Sequence, residues 1–242
     1  MRRFSPYVVN FNNPLSFIDH DGNGATSTHT DKEGNVLAVY NDGDLGVYKH
    51  EDATTMEQID KKHEKSTSAG GERMGETKFW DEFITPNNKI EGTIHFGTAQ
   101  SWDPLITAAN NHANNQDLTI TMNESKNNKI LDIKTNKGWA SDGPMTGRLL
   151  NGKYATARSA GNYLAGMNGM TGTIQGEHIS GDTYMKLAGA YQQKVLTKAN
   201  IASILVFGTS FGPAPYYGEQ NYSGRRIAEG IQDGLKKLNI KK

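Results

Sequence analysis

Three stretches in the last third of the chain carry side chains that could do chemistry. The sharpest holds Tyr217 and Glu219, followed by Arg225 and Arg226 in the expected first turn of the last helix. Arginines there oppose the helix macrodipole, whereas a helix selected only for stability favours Asp or Glu. Beside the exposed N–H groups of a helix start they favour an anion site. Alternatively, Glu219 neutralises the two arginines, which explains them equally well. In both cases the side chains of Tyr217, Glu219, Arg225 and Arg226 should lie close together.

The second stretch places Glu177 beside His178, in a loop that precedes a helix. A carboxylate can raise the pKa of a neighbouring imidazole and fix its tautomer, which suits acid-base catalysis. Adjacent residues of an extended segment point in opposite directions, however, so the two need not cooperate. Ordinary loop composition is the more frequent explanation of such a pair.

The third stretch is a helix of small residues that contains Arg158, Asn162 and Tyr163. Its amide and phenol can donate and accept hydrogen bonds, which would suit substrate binding. Close helix packing through Gly and Ala explains the same residues somewhat better. The candidate catalytic residues are therefore His178, Glu219, Tyr217 and Glu177. The candidate substrate-binding residues are Arg158, Asn162, Tyr163, Arg225 and Arg226.

Composition restricts the chemistry further. The chain has no cysteine, which excludes disulfides, thiolate nucleophiles and thiolate metal sites. Walker A, GxSxG and HExxH motifs are absent, as is paired-histidine spacing suited to zinc. We predict no metal and no cofactor, although scattered Asp and Glu could still assemble a magnesium site. The net charge of zero means that any anion site must be local.

The elements that must position these residues follow from the hydrophobic pattern, which predicts an α+β fold. A mean hydropathy of −0.66 indicates that a compact core does not extend over all 242 residues. Residues 1–50 are predicted to end in β-hairpins, and residues 51–76 to be a polar flexible linker with a short helix over 56–63 and solvated His50 and His63 beside it. Residues 77–242 should form one domain with short hairpins and a mainly helical C-terminal half.

Within that domain the pattern predicts strands over 77–84 and 93–96, separated by a turn at 86–88, and then six further elements. They are a helix from 101 or 103 to 111, a hairpin over 118–133, helices over 153–167 and 181–195, a buried strand over 201–207 and a terminal helix from 223. No apolar run is long enough for a signal peptide or a transmembrane segment.

The first residues resemble the closing segment of the RHS repeat-associated core, the shell found upstream of many bacterial secreted toxins. The resemblance rests on residues 3–6 (Arg-Phe-Ser-Pro), 12–14 (Asn-Asn-Pro) and 19–22 (Asp-His-Asp-Gly). His20 stands where that family usually has proline. In the family a variable payload follows this segment, which implies that the cargo begins after Gly22.

Residues 153–238 resemble the type 44 polymorphic toxin domain (bacterial toxin 44). The resemblance rests on residues 157–163 (Ala-Arg-Ser-Ala-Gly-Asn-Tyr), 187–192 (Leu-Ala-Gly-Ala-Tyr-Gln) and 216–219 (Tyr-Tyr-Gly-Glu), followed by a terminal helix. It implies a toxin of interbacterial competition that a cognate immunity protein neutralises, carried by an upstream RHS shell.

Such payloads are commonly nucleases, so we expect a metal-independent ribonuclease with RNA as its substrate. Delivery into a target bacterium would follow a signal-peptide-independent route such as type VI secretion. In this hypothesis His178 or Glu219 supplies the acid or base, and the arginines hold phosphate. Two alternatives stay open. One is a peptidoglycan hydrolase that uses Glu177 and Glu219 as its carboxylates, and the other is a non-catalytic RHS fragment.

Overall fold

The structure is a computed structural model that describes residues 24–238. The RHS-like motifs of residues 3–22 lie outside this range. Helices and two small mixed sheets together confirm the predicted α+β class. The division into shell-derived, linker and toxin segments stays a prediction.

The described strands form one four-stranded and one three-stranded sheet. The first sheet has the order β2-β1-β3-β4, in which only β1 and β3 run parallel, and the second has the order β5-β6-β7, in which β5 and β6 run parallel. The strands are β1 (Thr26–Thr30), β2 (Val36–Asn41), β3 (Gly46–Lys49), β4 (Glu72–Glu76), β5 (Thr93–Ile94), β6 (Thr146–Leu150) and β7 (Lys153–Thr156).

The described residues contain seven α-helices, most of them in the C-terminal half. They are α1 (Met56–His63), α2 (Asp103–Ala113), α3 (Leu118–Glu124), α4 (Ala157–Thr171), α5 (Gly181–Gln192), α6 (Lys198–Phe207) and α7 (Asn221–Lys237). Within residues 24–238, none of these helices combines the length and the apolar character needed to cross a membrane.

The starts of the helices follow their capping residues. Pro104 lies in the first turn of α2, and the Ser180 hydroxyl accepts a hydrogen bond from the Thr183 N–H at the start of α5. Both helices begin close to their predicted positions. The helix predicted from 153 starts at Ala157, because the positive-φ turn at Asn151 and Gly152 closes a hairpin that uses 153–156 as strand β7.

Three predictions of β structure are wrong. The strand predicted over 77–84 consists of turns, with isolated bridges at Thr77 and Ile84. The hairpin predicted over 118–133 is instead helix α3 followed by turns and a short 3-10 helix, because the Asp117 carboxylate accepts the Thr119 N–H and starts a helix. The strand predicted over 201–207 is part of α6, which the Thr197 hydroxyl caps and which ends at left-handed Gly208. A short apolar run does not distinguish a buried strand from a helix.

Residues 51–76 contain more regular structure than the predicted linker. Helix α1 has the predicted bounds, and β4 adds the fourth strand to the first sheet. Buried Ile59 on α1 packs with Ala53 and Ala69 against Leu37 and Tyr40 of β2. This small apolar cluster orders a segment whose polar composition alone favours disorder.

Helices α4 and α7 form the principal packing interface of the C-terminal half. Gly166 of α4 and Gly230 of α7 lie so close to the opposite helix that a Cβ on either would overlap its backbone carbonyl oxygens, those of Ile227 and Tyr163. Asn168 and Thr171 of α4 bind the buried Asn110 amide of α2 through hydrogen bonds of 2.8 Å each. The position of α7 is therefore fixed by backbone contact with α4.

Candidate functional site

Arg226 lies at the centre of a buried charged cluster beneath α7. Its side chain is 1% exposed, and its Nη2 lies 2.7 Å from Asp81 Oδ1 and 3.4 Å from Glu82 Oε1. Its Nε donates to Ser159 Oγ at 2.8 Å, and its Nη1 donates to the Tyr222 carbonyl. Because every face of the guanidinium meets protein, Arg226 organises the fold and does not present a charge to solvent.

Glu82 connects this cluster to the second sheet. Its Oε2 accepts the Thr156 N–H at 3.0 Å and the Ser159 hydroxyl at 2.6 Å, at the junction of β7 and α4. Burial raises the pKa of Glu82, and the nearby Arg226 guanidinium opposes that shift. The carboxylate thus ties three elements together without reaching the surface.

The Tyr222 ring lies between two arginines. The guanidinium carbons of Arg158 and Arg226 lie 3.5 and 3.6 Å from its ring centroid. Two such groups fit only on opposite faces, because on one face they would overlap. Arg158, a candidate for substrate binding, is half-buried and stacks on an aromatic ring.

A depression of about 370 Å³ opens beside this cluster, between residues 78–79, β7 and α7. It presents three cations, two aromatic rings and one carboxylate. The lining residues are Lys78, Phe79, Lys153, Tyr216, Arg225, Ala228 and Glu229. A depression of about 350 Å³ beside α1 has charged and amide side chains but no aromatic ring: Asp52, Glu57, Gln58, Lys61 and Lys62.

Carboxylates hold the cations of the larger depression in place. Arg225 Nη2 lies 2.6 Å from Asp81 Oδ2, and the guanidinium stacks 5.4 Å from the Trp80 ring centroid. Lys78 Nζ lies 2.5 Å from Glu229 Oε1, with 9% of the lysine side chain exposed. Lys153 is the most exposed of the three cations, at 45%. Arg225 and Lys78 are therefore pre-positioned, which lowers the entropy cost of binding an anion.

Tyr163, a candidate for substrate binding, is 4% exposed and belongs to the packed interior beside this depression. Its hydroxyl donates to Asp233 Oδ2 at 2.7 Å and accepts from the Asn151 amide, while Lys78 Nζ lies 5.8 Å from its ring centroid. Burial and the Asp233 carboxylate raise the pKa of Tyr163, so the phenol stays protonated at neutral pH. Asn162, its neighbour on α4, is half-buried.

The four candidate catalytic residues lie around α5 instead. Glu177 and His178 are on an exposed loop, where His178 Nδ1 lies 2.8 Å from the Gly172 carbonyl oxygen. A carbonyl only accepts, so Nδ1 carries the proton and Nε2 keeps a lone pair in the neutral ring. The Tyr217 hydroxyl donates to Asp182 of α5 at 2.5 Å. Burial raises the pKa of Glu219, whose Oε1 accepts the Gln220 N–H.

The close grouping of Tyr217, Glu219, Arg225 and Arg226 stays a prediction. Tyr217 contacts α5, the two arginines contact Asp81, and Arg225 alone of these four lines the depression. Adjacent residues on a helix point about 100° apart, which puts one arginine at the depression and buries the other.

Three residues of the depression, Lys78, Lys153 and Glu229, are absent from the candidates that the sequence suggests. Helical spacing offers a signal for the last, because Arg225 and Glu229 are four residues apart and share one face of α7. The two lysines come from segments that only the tertiary fold brings to α7, so no local pattern identifies them.

A second polar cluster lies between the first sheet and α1 and includes His50, which is 4% exposed, and His63, whose side chain is 19% exposed. The expectation that these two histidines are solvated is wrong. His29 is fully buried, its Nδ1 lies 2.9 Å from His50 Nε2, and its Nε2 lies 3.0 Å from Ser27 Oγ. Asp42 accepts from Ser27 and lies 2.8 Å from His63 Nε2, which completes a hydrogen-bonded chain. Burial and the neighbouring His50 lower the pKa of His29 to about 4.

No family model, curated protein or solved structure matches this chain. The resemblances to the RHS core and to bacterial toxin 44 therefore rest on the sequence motifs alone. Within residues 24–238, no group of three or more His, Asp or Glu side chains is arranged to hold a metal ion.

Proposed function

We propose that this chain is the toxin portion of an RHS-type polymorphic toxin and that it cleaves RNA without a metal ion. The observation that supports this best is the depression beside α7, where Arg225, Lys78 and Lys153 surround Glu229 beside two aromatic rings. Cations suit phosphate, and an aromatic face suits an unstacked base. The upstream RHS shell and a cognate immunity protein are its proposed partners.

The proposed reaction uses groups already positioned in the depression. Arg225 and Lys153 bind the scissile phosphate and stabilise the charge that develops on it. Phe79 or Tyr216 stacks on a neighbouring base. The Glu229 carboxylate accepts the proton of the 2′-hydroxyl, whose oxygen then attacks phosphorus and displaces the 5′-oxygen of the next nucleotide. The departing 5′-oxygen takes a proton from solvent water and leaves as an alcohol. Lys78, whose Nζ lies 2.5 Å from Glu229 Oε1, holds this carboxylate in position.

The test is RNA cleavage by the purified chain in the presence of a chelator. We expect wild type to cleave, and Arg225→Ala and Glu229→Gln to lose about a hundredfold or more in rate, the scale of one electrostatic or general-base contribution. Lys89→Ala, at an exposed lysine outside the depression, should cleave like wild type. Unchanged cleavage by both site variants would place the reaction elsewhere.

Glu219 favours a second candidate function, peptidoglycan hydrolysis. Burial raises the pKa of this carboxyl group, which suits the general acid of glycosidic cleavage, and exposed Glu177 would be the second carboxylate. In that case Glu219→Gln abolishes cell-wall hydrolysis while Arg225→Ala leaves it intact.

A further inference from the structure

The end of helix α6 presents an exposed apolar tip. Leu205, Val206 and Phe207 are consecutive and are 38%, 70% and 81% exposed, and Ile204 is the one residue of α6 that is buried. Other large exposed apolar side chains, such as Ile130 in a turn, occur singly and need no partner. Three adjacent ones at a helix end form a continuous apolar surface.

The directions of these side chains restrict what can cover them. Successive residues of an α-helix point about 100° apart, so the three side chains span about 200° of the helix end, and buried Ile204 faces part of the remaining side. A flat protein surface can contact one or two of them at a time. A fluid apolar medium that surrounds the helix end can cover all three.

The segment from 183 to 218, which contains α6, carries a net positive charge. Residues 183–218 contain three lysines and no Asp or Glu. Lys186 pairs with Asp182, whereas Lys194 and Lys198 are exposed and form no ion pair with any residue from 24 to 238. Although the chain as a whole is neutral, this segment is cationic and complements an anionic surface.

We propose that α6 binds the surface of an anionic lipid bilayer in a tilted position, with Val206 and Phe207 of its tip in the acyl boundary and Lys194 and Lys198, towards its other end, at the headgroups. The ten residues of α6 are too few to cross a bilayer, which takes about 20, so the helix binds at the interface. This inference stands on α6 alone and does not depend on the proposed RNA cleavage.

The test is co-sedimentation of the full chain with vesicles. We expect binding to vesicles of equal parts phosphatidylglycerol and phosphatidylcholine, with little binding to pure phosphatidylcholine. Phe207→Gln and Val206→Gln should each weaken binding by about tenfold, the scale of losing one large apolar side chain from the membrane. Lys194→Gln combined with Lys198→Gln should weaken it further and reduce its sensitivity to salt.

Matched variants separate this effect from a general loss of apolar surface. Ile130→Gln removes an equally exposed apolar side chain at another site and should bind vesicles like wild type. Circular dichroism should show wild-type folding for every variant. The proposal is overturned if wild type does not bind anionic vesicles or if Phe207→Gln binds unchanged. It is equally overturned if sedimentation reveals a dimer that Phe207→Gln dissociates, because the tip would then cover a second copy of the chain.

Discussion

The two adjacent arginines of α7 differ in their surroundings because neighbouring residues of a helix point in different directions. Arg226 is enclosed by Asp81, Glu82 and Ser159, and removing one member of a buried ion pair typically costs about 3–5 kcal/mol. Arg225 shares Asp81 but lines the depression, and its loss leaves Asp81 paired with Arg226. Arg225 is therefore the residue whose substitution tests function with the smaller effect on folding.

Both arginines are unusual in the sequence, but the sequence does not distinguish them. The macrodipole argument assumes that both lie in the first turn, but α7 begins at Asn221, two residues before the predicted start, so they lie in its second turn. Which of them is buried depends on Asp81 and Glu82, which are about 145 residues away. The burial of His29 and His50 also depends on contacts between distant parts of the chain, because the parallel pairing of β1 with β3 brings His29 to His50.

The buried His29 gives the stability of the protein a defined pH dependence. Its pKa is lowered to about 4 in the folded chain from 6.5 when unfolded, so between these values the unfolded chain binds the proton more tightly. The free energy of unfolding should therefore fall as the pH falls from 6.5 towards 4. Over this pH range the lowered pKa of His29 reduces the free energy of unfolding by on the order of 3 kcal/mol. Burial also lowers the pKa of His50, which changes the stability in the same direction.

Denaturant unfolding of wild type and His29→Gln at several pH values measures this effect. Glu82 and Glu219 have raised pKa values and change the stability in the opposite direction, so the difference between the two chains is the informative quantity. We expect the His29→Gln chain to lose less stability than wild type over this range, and exposed His178→Gln to follow wild type. Parallel curves for wild type and His29→Gln would contradict the account.

At the scale of elements, the glycines of α4 have different roles. From the sequence, each glycine either weakens the helix or permits a close contact with another helix. Gly166 contacts the α7 backbone, and a Cβ at Gly169 would overlap the Tyr184 ring of α5. Gly161 faces only the aliphatic part of Lys134, whose Cγ would lie at an ordinary contact distance of 3.7 Å from a Cβ there. Both explanations therefore hold, at different positions of one helix.

This difference supplies a matched pair of substitutions. Gly230→Ala would force α7 away from the Tyr163 carbonyl and should destabilise the chain by about 2 kcal/mol or more. Gly161→Ala has room and improves helix propensity, so it should be neutral or stabilising by up to about 1 kcal/mol. Thermal unfolding measures both. Equal effects of the two substitutions would show that α4 and α7 do not pack as closely as described.

The elements predicted best from the sequence are those with strong local signals. Capping by Ser180 and the proline at 104 locate α5 and α2, and the apolar stripe locates α7. The elements predicted wrongly include short apolar runs at 118–133 and 201–207. In these two segments the capping residues indicate helices: Asp117 and Thr197 cap the starts of α3 and α6, and Gly208 caps the end of α6.

At the scale of the whole molecule, the proposed activity and the lipid-binding tip belong to different parts of the C-terminal half. The depression involves β7 and α7, whereas the apolar tip is the end of α6. Neither could be derived from overall composition, because the net charge of zero conceals a cationic segment around α6. The RHS-like motifs of the first residues lie outside the described range, so a cellular experiment is the test of the proposal that the chain is a toxin.

The most direct test of the central claim is expression of the chain in the cytoplasm and, separately, in the periplasm of a bacterium, with growth and RNA integrity measured together. The account predicts growth arrest with degraded RNA from the cytoplasm, and normal growth with intact RNA for Arg225→Ala produced at the same level. Arrest only from the periplasm, or cytoplasmic arrest with intact RNA, would contradict it.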